Sequence, residues 1–242
     1  MDFNRTRRRF MGAAGVSTAL WLSGSDQARS QQARGKETPV KGGGTGEEEE
    51  EVSANEDLMR EHGVLDRVLL VYEEALRRLD GRQDFPPAAV GGGARVIRRF
   101  IEDYHEKLEE DHLFPRFEKA RKLTQLVFTL RVQHQAGRRL TDTIERQATA
   151  AALKDDADRQ RLAGALRSFI RMYRPHAAHE DTVLFPAFRG VVTPNEYDAL
   201  GEQFEKKEHQ LFGEGGFGAV LDEVVGLEKA LGIDDLSRFT PA

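Results

Sequence analysis

Residues His105–Phe117 read H-E-K-L-E-E-D-H-L-F-P-R-F, and residues His176–Phe188 read H-A-A-H-E-D-T-V-L-F-P-A-F. With the leading histidines in register, both copies follow H-x-x-x-E-x-x-x-L-F-P-x-F. Glu109 falls on Glu180, Leu113-Phe114-Pro115 on Leu184-Phe185-Pro186, and Phe117 on Phe188. A duplicated supersecondary unit explains such a register. Residues four apart share one face of a helix, so each copy presents an imidazole beside a carboxylate. Pro lacks an N–H and crowds the preceding turn, so each helix is expected to stop at its Leu-Phe-Pro. Two facing copies would offer neutral nitrogen and anionic oxygen donors, a mixture that suits first-row transition metals in the core of a helix bundle.

Working outward, the same inward stripe recurs. In a first helix, about residues 55–79 and capped by Asn55 or Asp57, the stripe is Leu58, His62, Leu65, Leu69, Tyr72 and Leu76. A loop over 80–93, holding Gly91-Gly92-Gly93, leads to a second helix over about 94–114 with Ile97, Ile101, Tyr104, His105 and Leu108. The third, about 121–151, carries Leu123, Val127, Leu130, His134, Gly137, Thr141 and Ile144. The fourth, about 156–188, carries Leu162, Leu166, Phe169, Tyr173, His176 and Glu180, with Asp155 or Asp156 at its start and a bend expected at Pro175. One inward histidine is ordinarily a satisfied core residue. Four of them on four helices, two with a carboxylate one turn later, are costly to bury without a cation. On a straight helix Glu180 lies about 40° from His176 around the axis and Asp181 about 140°, which favours Glu180; a π-bulge would reopen Asp181. His112, seven residues after His105, reads either as a further ligand or supporting donor or as a polar residue at the bundle end, His209 reads as a surface or supporting residue rather than a ligand, and His179 is placed at the periphery.

Composition limits the chemistry. The chain has 242 residues, no cysteine and a formal net charge of −5. Disulfides, thiolate ligands and cysteine nucleophiles are excluded, so any metal has only N and O ligands. Residues 1–33 hold five Arg against two Asp, which leaves the remainder near −8 and argues against nucleic acid as a partner. Within 1–33, Arg7-Arg8-Arg9-Phe10-Met11 precedes a weakly apolar run too short to span a bilayer. This resembles a twin-arginine export signal cut between about Ala28 and Ala33. It implies the twin-arginine translocation machinery as a transient partner, a periplasmic or secreted location and no stable membrane anchor. Residues 34–54, with Gly42-Gly43-Gly44 and Glu47–Glu51, read as a disordered linker. Residues 191–242 form a C-terminal helical extension, expected to cover one end of the bundle. It opens on a capping box, Thr193-Pro194-Asn195-Glu196. A helix to about Leu211 follows, with Tyr197, Leu200, Phe204 and Leu211 facing inward. A Gly-rich break then leads to a short helix over 218–231.

The motifs over residues 55–190 resemble the hemerythrin family, specifically the bacterial HHE cation-binding domains. They are Glu61-His62, His105-Glu106-x-x-Glu109, His134-x-x-Gly137-Arg138 and His176-x-x-x-Glu180. The resemblance implies an all-α, antiparallel up-down four-helix bundle holding two non-haem irons with an oxo or hydroxo bridge; manganese or zinc fit less well. By position it makes His62, His105, His134 and His176 terminal ligands, Glu109 and Glu180 bridges, and Glu106 an additional or alternative ligand. Oxygen-carrying members have a second histidine where this chain has Arg138, which departs from five-histidine O2 carriage. Two functions are expected on this basis: binding of iron with a small ligand such as O2 or NO, or redox turnover of peroxide, NO or O2, with Tyr104 and Tyr173 as redox neighbours.

Overall fold

The computed structural model describes residues 53–213 and 215–241, and among these the chain is all helical, with six long helices and no strand. The 1–33 leader and all but the last two residues of the 34–54 linker lie outside the described residues. We label the helices α1 (Ala54–Asp80), α2 (87–120), α3 (Thr124–Gln147), α4 (156–188), α5 (Pro194–Phe212) and α6 (Gly216–Leu231). Two short 3₁₀ turns, Ala152–Lys154 and Leu236–Phe239, complete the chain.

Local chemistry sets the helix ends. Ser53, and neither Asn55 nor Asp57, caps α1: its hydroxyl accepts from the Glu56 N–H, and the Glu56 carboxylate accepts from the Ser53 N–H. Such a cap contributes about 1 kcal/mol. Asp155 caps α4 by accepting from the Asp158 N–H at 2.9 Å. Thr193 caps α5 with Pro194 at the first position. Glu196 does not complete that box; it pairs with Arg116 at 2.9 Å. Before α3, Arg121 and Leu123 both take left-handed backbone (φ 54° and 50°), a reversal that starts the helix at Thr124 rather than at 121.

Two expectations fail for physical reasons. The 80–93 segment is not a loop throughout: α2 starts at Pro87, and its glycines are helical. Their role is close approach. A Cβ on Gly92 would sit 2.5 Å from Leu227 Cδ2 of α6, and one on Gly93 would sit 3.1 Å from Tyr72 and Val68 of α1. Nor do the prolines stop their helices, for α2 runs past Pro115 to Ala120 and α4 past Pro186 to Phe188. The turn before each proline widens instead, with the Phe114 N–H reaching Glu109 O and the Phe185 N–H reaching Glu180 O, five residues back. The wider turn makes room for a ring that has no N–H to donate. The α-helix Asp156–His179 continues through Pro175, which itself has no N–H to donate.

The predicted inward stripes of α1 to α4 form the core, with Leu58, Leu65, Tyr72, Ile97, Tyr104, Val127, Leu130, Leu162, Leu166 and Phe169 all buried. The extension lies along the side of α1 and α2 rather than over one end. The Asn55 N–H donates to Tyr197 Oη near the start of α1, Arg67 grips Glu228 midway, and Arg78 donates to Leu231 O near its end. Tyr197, Leu200 and Phe204 pack inward as expected, while Leu211 is exposed.

Candidate metal centre

Six residues from four helices converge in the core: His62 from α1, His105 and Glu109 from α2, His134 from α3, and His176 and Glu180 from α4, all buried. The imidazoles form two pairs, with ring centroids 4.6 Å apart for His62–His105 and 5.1 Å for His134–His176. In each ring Nε2 faces the glutamates. His62 Nε2 and His176 Nε2 lie 3.4 and 3.1 Å from Glu180 Oε2; His134 Nε2 and His105 Nε2 lie 3.4 and 3.9 Å from Glu109 Oε2.

Every Nδ1 has a partner behind it. His62 Nδ1 meets Asp181 at 2.7 Å, His105 Nδ1 meets Glu61 at 2.7 Å, His134 Nδ1 meets Glu110 at 3.1 Å, and His176 Nδ1 meets Gln133 at 2.9 Å. A hydrogen-bonded Nδ1 fixes ring orientation and the tautomer, leaving Nε2 with a lone pair. The widened turns bring this about. Glu180 and Asp181, consecutive in α4, reach the two nitrogens of His62, and Glu109 and Glu110 of α2 do the same to His134. The two carboxylates differ in depth: Glu180 is fully buried at the centre, and Asp181 is partly exposed behind the ring.

The arrangement has a pseudo-twofold character. Phe185 stacks on His62 and Phe114 on His134, each with centroids 5.5 Å apart, so each Leu-Phe-Pro motif supplies an apolar wall to a histidine outside the two motif copies, on α1 or α3. Symmetry breaks at Glu61 against Gln133, a carboxylate behind His105 and an amide behind His176. Glu61 also accepts from Tyr104 Oη at 2.9 Å and lies with Asp57 and Glu208 in a buried carboxylate cluster, to which α5 contributes.

Glu106, also buried, groups with Glu110 and His134 as a set that could hold a metal ion. Its Oε1 accepts from Tyr173 Oη at 2.7 Å, and its Oε2 lies 2.8 Å from Arg138 Nη2. Its nearest approach to His134 is to Nδ1, at 3.9 Å. His112 packs against the Phe204 ring, and the exposed His179 turns back onto Pro175 O, so both stand apart. His209 is part-buried on α5.

Does this donor set fit metal ions? His105 Nε2, His134 Nε2 and both oxygens of Glu109 and of Glu180 are buried without a hydrogen-bond partner. An unpaired buried polar atom costs about 1–3 kcal/mol, so a cluster of them facing one another calls for a cation. The electrostatics agree. Burial, reinforced by the charges of Glu180 and Glu106, pushes the Glu109 carboxyl far up. Burial opposes charge on His62 most strongly, but Asp181 and Glu180 outweigh it and raise the ring to about 9. Burial likewise opposes charge on Glu180, yet His176 and His62 hold its carboxyl well below the usual range. Burial keeps His105 and His134 neutral. The upward shifts of Glu109 and His62 favour their protonated forms, and a divalent ion would do the same electrostatic work by displacing those protons.

A family model for the hemerythrin HHE cation binding domain matches residues 53–188, and again residues 125–224. The chain belongs to that family. Among its relatives are the uncharacterized protein Mb2018 of Mycobacterium bovis and the uncharacterized protein Rv1995 of Mycobacterium tuberculosis. Each is 52% identical over 198 residues, covering 82% of this chain and 78% of the relative. No solved structure matches the chain significantly.

Sequence reasoning found the inner residues but missed most of those behind them. Glu110 and Asp181 are equivalent in the repeat, and Glu61 and Gln133 each precede a histidine of the centre; that shared register was the available signal.

Proposed function

We propose that this chain is an exported, non-haem di-iron-binding protein that holds iron and a small ligand such as O2 or NO, for sensing, scavenging or storage. The observation that carries the reading is the set of inward Nε2 and carboxylate atoms left unpaired while every Nδ1 is engaged. In this reading α1–α4 form an antiparallel up-down bundle. His62 and His105 hold one iron, His134 and His176 the other, and Glu109 and Glu180 lie between them. Iron bound there supplies one-electron chemistry and coordination positions for a small ligand; manganese or zinc fit the donors less distinctively. The chain's own residues orient the rings through Nδ1, exclude water with Phe114 and Phe185, and keep ionic charge in a dry core. The leader directs export through the twin-arginine machinery to the periplasm or beyond.

The test is elemental analysis and visible spectroscopy of protein expressed from about residue 52 in iron-supplemented medium. About two irons per chain, with spectra that change reversibly with O2 or NO, supports the reading. Metal-free protein, or tight zinc alone, defeats it. Cell fractionation with and without the Arg7-Arg8 pair tests export.

A second reading is a di-iron redox enzyme acting on peroxide, NO or O2. Two buried phenols favour it, Tyr104 bonded to Glu61 and Tyr173 bonded to Glu106, each placed where a proton can follow an electron. Steady peroxide consumption lost in His105→Ala supports it, and its absence sinks it.

A further inference from the structure

The four groups behind the imidazoles differ in what they show to solvent. Glu61, behind His105, is fully buried and bonded to Tyr104. Gln133, behind His176, carries no charge. Glu110, behind His134, is 11% exposed and is held by Lys107 and Arg138, each at 2.9 Å. Asp181, behind His62, is 34% exposed, and among the described residues no lysine or arginine forms an ion pair with it. A second carboxylate accompanies it. Asp66 stands one turn after His62 on α1, is exposed, and lines an open groove of about 360 Å³ with Arg67, Leu70 and Arg174. Both arginines are engaged elsewhere, Arg67 by Glu228 at 2.8 Å and Arg174 by Glu73 at 2.6 Å. Burial raises the Asp66 carboxyl; His62 and Arg174 pull it down and Asp181 pushes it up, so the two aspartates and the ring share one field. Next to His62 the backbone is open too, since an added Cβ on the exposed Gly63 meets nothing within 4 Å.

The His62 ring stands between two consecutive carboxylates of α4, with Asp181 on Nδ1 at 2.7 Å and Glu180 on Nε2 at 3.4 Å. Both oxygens of Glu180 are buried without a hydrogen-bond partner. An exposed anion outside the ring is thus in line with an unsatisfied one inside it. We propose that Asp66 and Asp181 form the entry port through which a hydrated divalent cation reaches the centre, with the His62 ring as the gate that turns to let it pass. The inference rests on the two-iron reading above and concerns the route rather than the ligands. Negative charge in a cleft raises the local cation concentration and the on-rate by about 10–1000-fold, an effect that salt screens beyond about 8 Å at 0.15 M. The side behind His134 presents Lys107 and Arg138 instead, and repels the same ion.

The experiment mixes the metal-free full chain with ferrous ion under anaerobic conditions, stops uptake at intervals with a chromophoric ferrous chelator, and measures bound iron over time and at completion. Asp66→Lys is expected to slow loading by about tenfold or more at low salt, with the deficit shrinking as salt is raised. Asp66→Asn is expected to fall between it and wild type. Both should reach the wild-type final iron content, because Asp66 is not among the residues of the centre. Asp103→Lys, the same charge change at an exposed position of α2, is the control and should load at the wild-type rate. Wild-type loading by Asp66→Lys overturns the port, and so does equal slowing in Asp103→Lys, which would report net charge alone. A lower final iron content in Asp66→Asn also overturns it, by making Asp66 part of the holding site. Wild-type protein that takes up no iron overturns the two-iron reading and the port together.

Discussion

Gly137 offers a test of the packing around the centre that needs no metal. Replacing it with Ala places a Cβ 2.0 Å from Tyr173 Oη, 2.7 Å from Cζ and 2.9 Å from Cε2, distances that real Cβ atoms essentially never show. Tyr173 is 1% exposed and packed against Phe169 and His176, so the ring has little room to retreat. Three terms set the magnitude. Overpacking a tight core costs about 1–3 kcal/mol. Losing the phenol–carboxylate hydrogen bond to Glu106 costs about 1.5–3 kcal/mol. Ala in place of Gly inside a helix returns about 1 kcal/mol. Gly137→Ala should therefore destabilise by about 2–4 kcal/mol, a fall in Tm of roughly 5–15 °C for a domain of this size. Gly164→Ala on α4 is the control, since nothing lies within 4 Å of its added Cβ; it should be neutral or stabilising by up to about 1 kcal/mol. Thermal unfolding followed by circular dichroism, on metal-free protein, reads both. If Gly137→Ala melts with or above wild type while Gly164→Ala behaves as expected, the tight Gly137–Tyr173 contact is wrong.

Further outcomes follow from the same geometry. Glu61→Gln removes the carboxylate behind His105 and should weaken metal retention by about 10–100-fold in chelator competition, whereas Gln133→Glu should tighten it; equal retention in both would remove the tuning role. Burial raises Glu102 to about 7 despite its bonds to Thr141 and Arg98. Its contribution to stability is therefore fully present below the unfolded value near 4.5 and is lost as pH rises through 7. Glu102→Gln should flatten the change in Tm between pH 5 and pH 8 relative to wild type, and parallel curves would refute this. Metal uptake should displace protons from His62 and Glu109, so affinity should rise from pH 6 to pH 9, with metal at about 100 times its Kd adding about 2.7 kcal/mol of stability. A pH-independent affinity would contradict the proton positions.

Much of this was legible in the sequence because periodicity and burial coincide. The six inward His and Glu residues and most of the stripes of α1 to α4 follow from spacing and lie buried where spacing puts them, with Leu76 and Leu123 only partly buried. What spacing misled about was proline and glycine. Reading Pro115 and Pro186 as stops assumes that a helix meets a proline only with 3.6-residue turns; the widened turns escape that choice. Reading Gly91–Gly93 as a loop assumes that glycine is used for backbone freedom, whereas Gly92 and Gly93 are used for lack of volume, against Leu227 and Tyr72. The partners behind the histidines escaped because they depend on how the helices register against one another. Glu61 and His105 are 44 residues apart, and His62 and Asp181 are 119 apart.

The crossing of Glu109 and Glu180 has a mechanical consequence. Glu109 belongs to the first half of the repeat and approaches His134 of the second, while Glu180 belongs to the second and approaches His62 of the first. Ions bound among them would rivet together two segments that are otherwise joined by the short 121–123 turn, by packing and by side-chain bonds such as that of His62 to Asp181. A chain without cysteine would thereby gain a reversible cross-link, one whose strength follows iron supply and pH rather than an oxidant. Its persistence outside a cell would be governed by how fast the rivet leaves, a rate rather than an equilibrium.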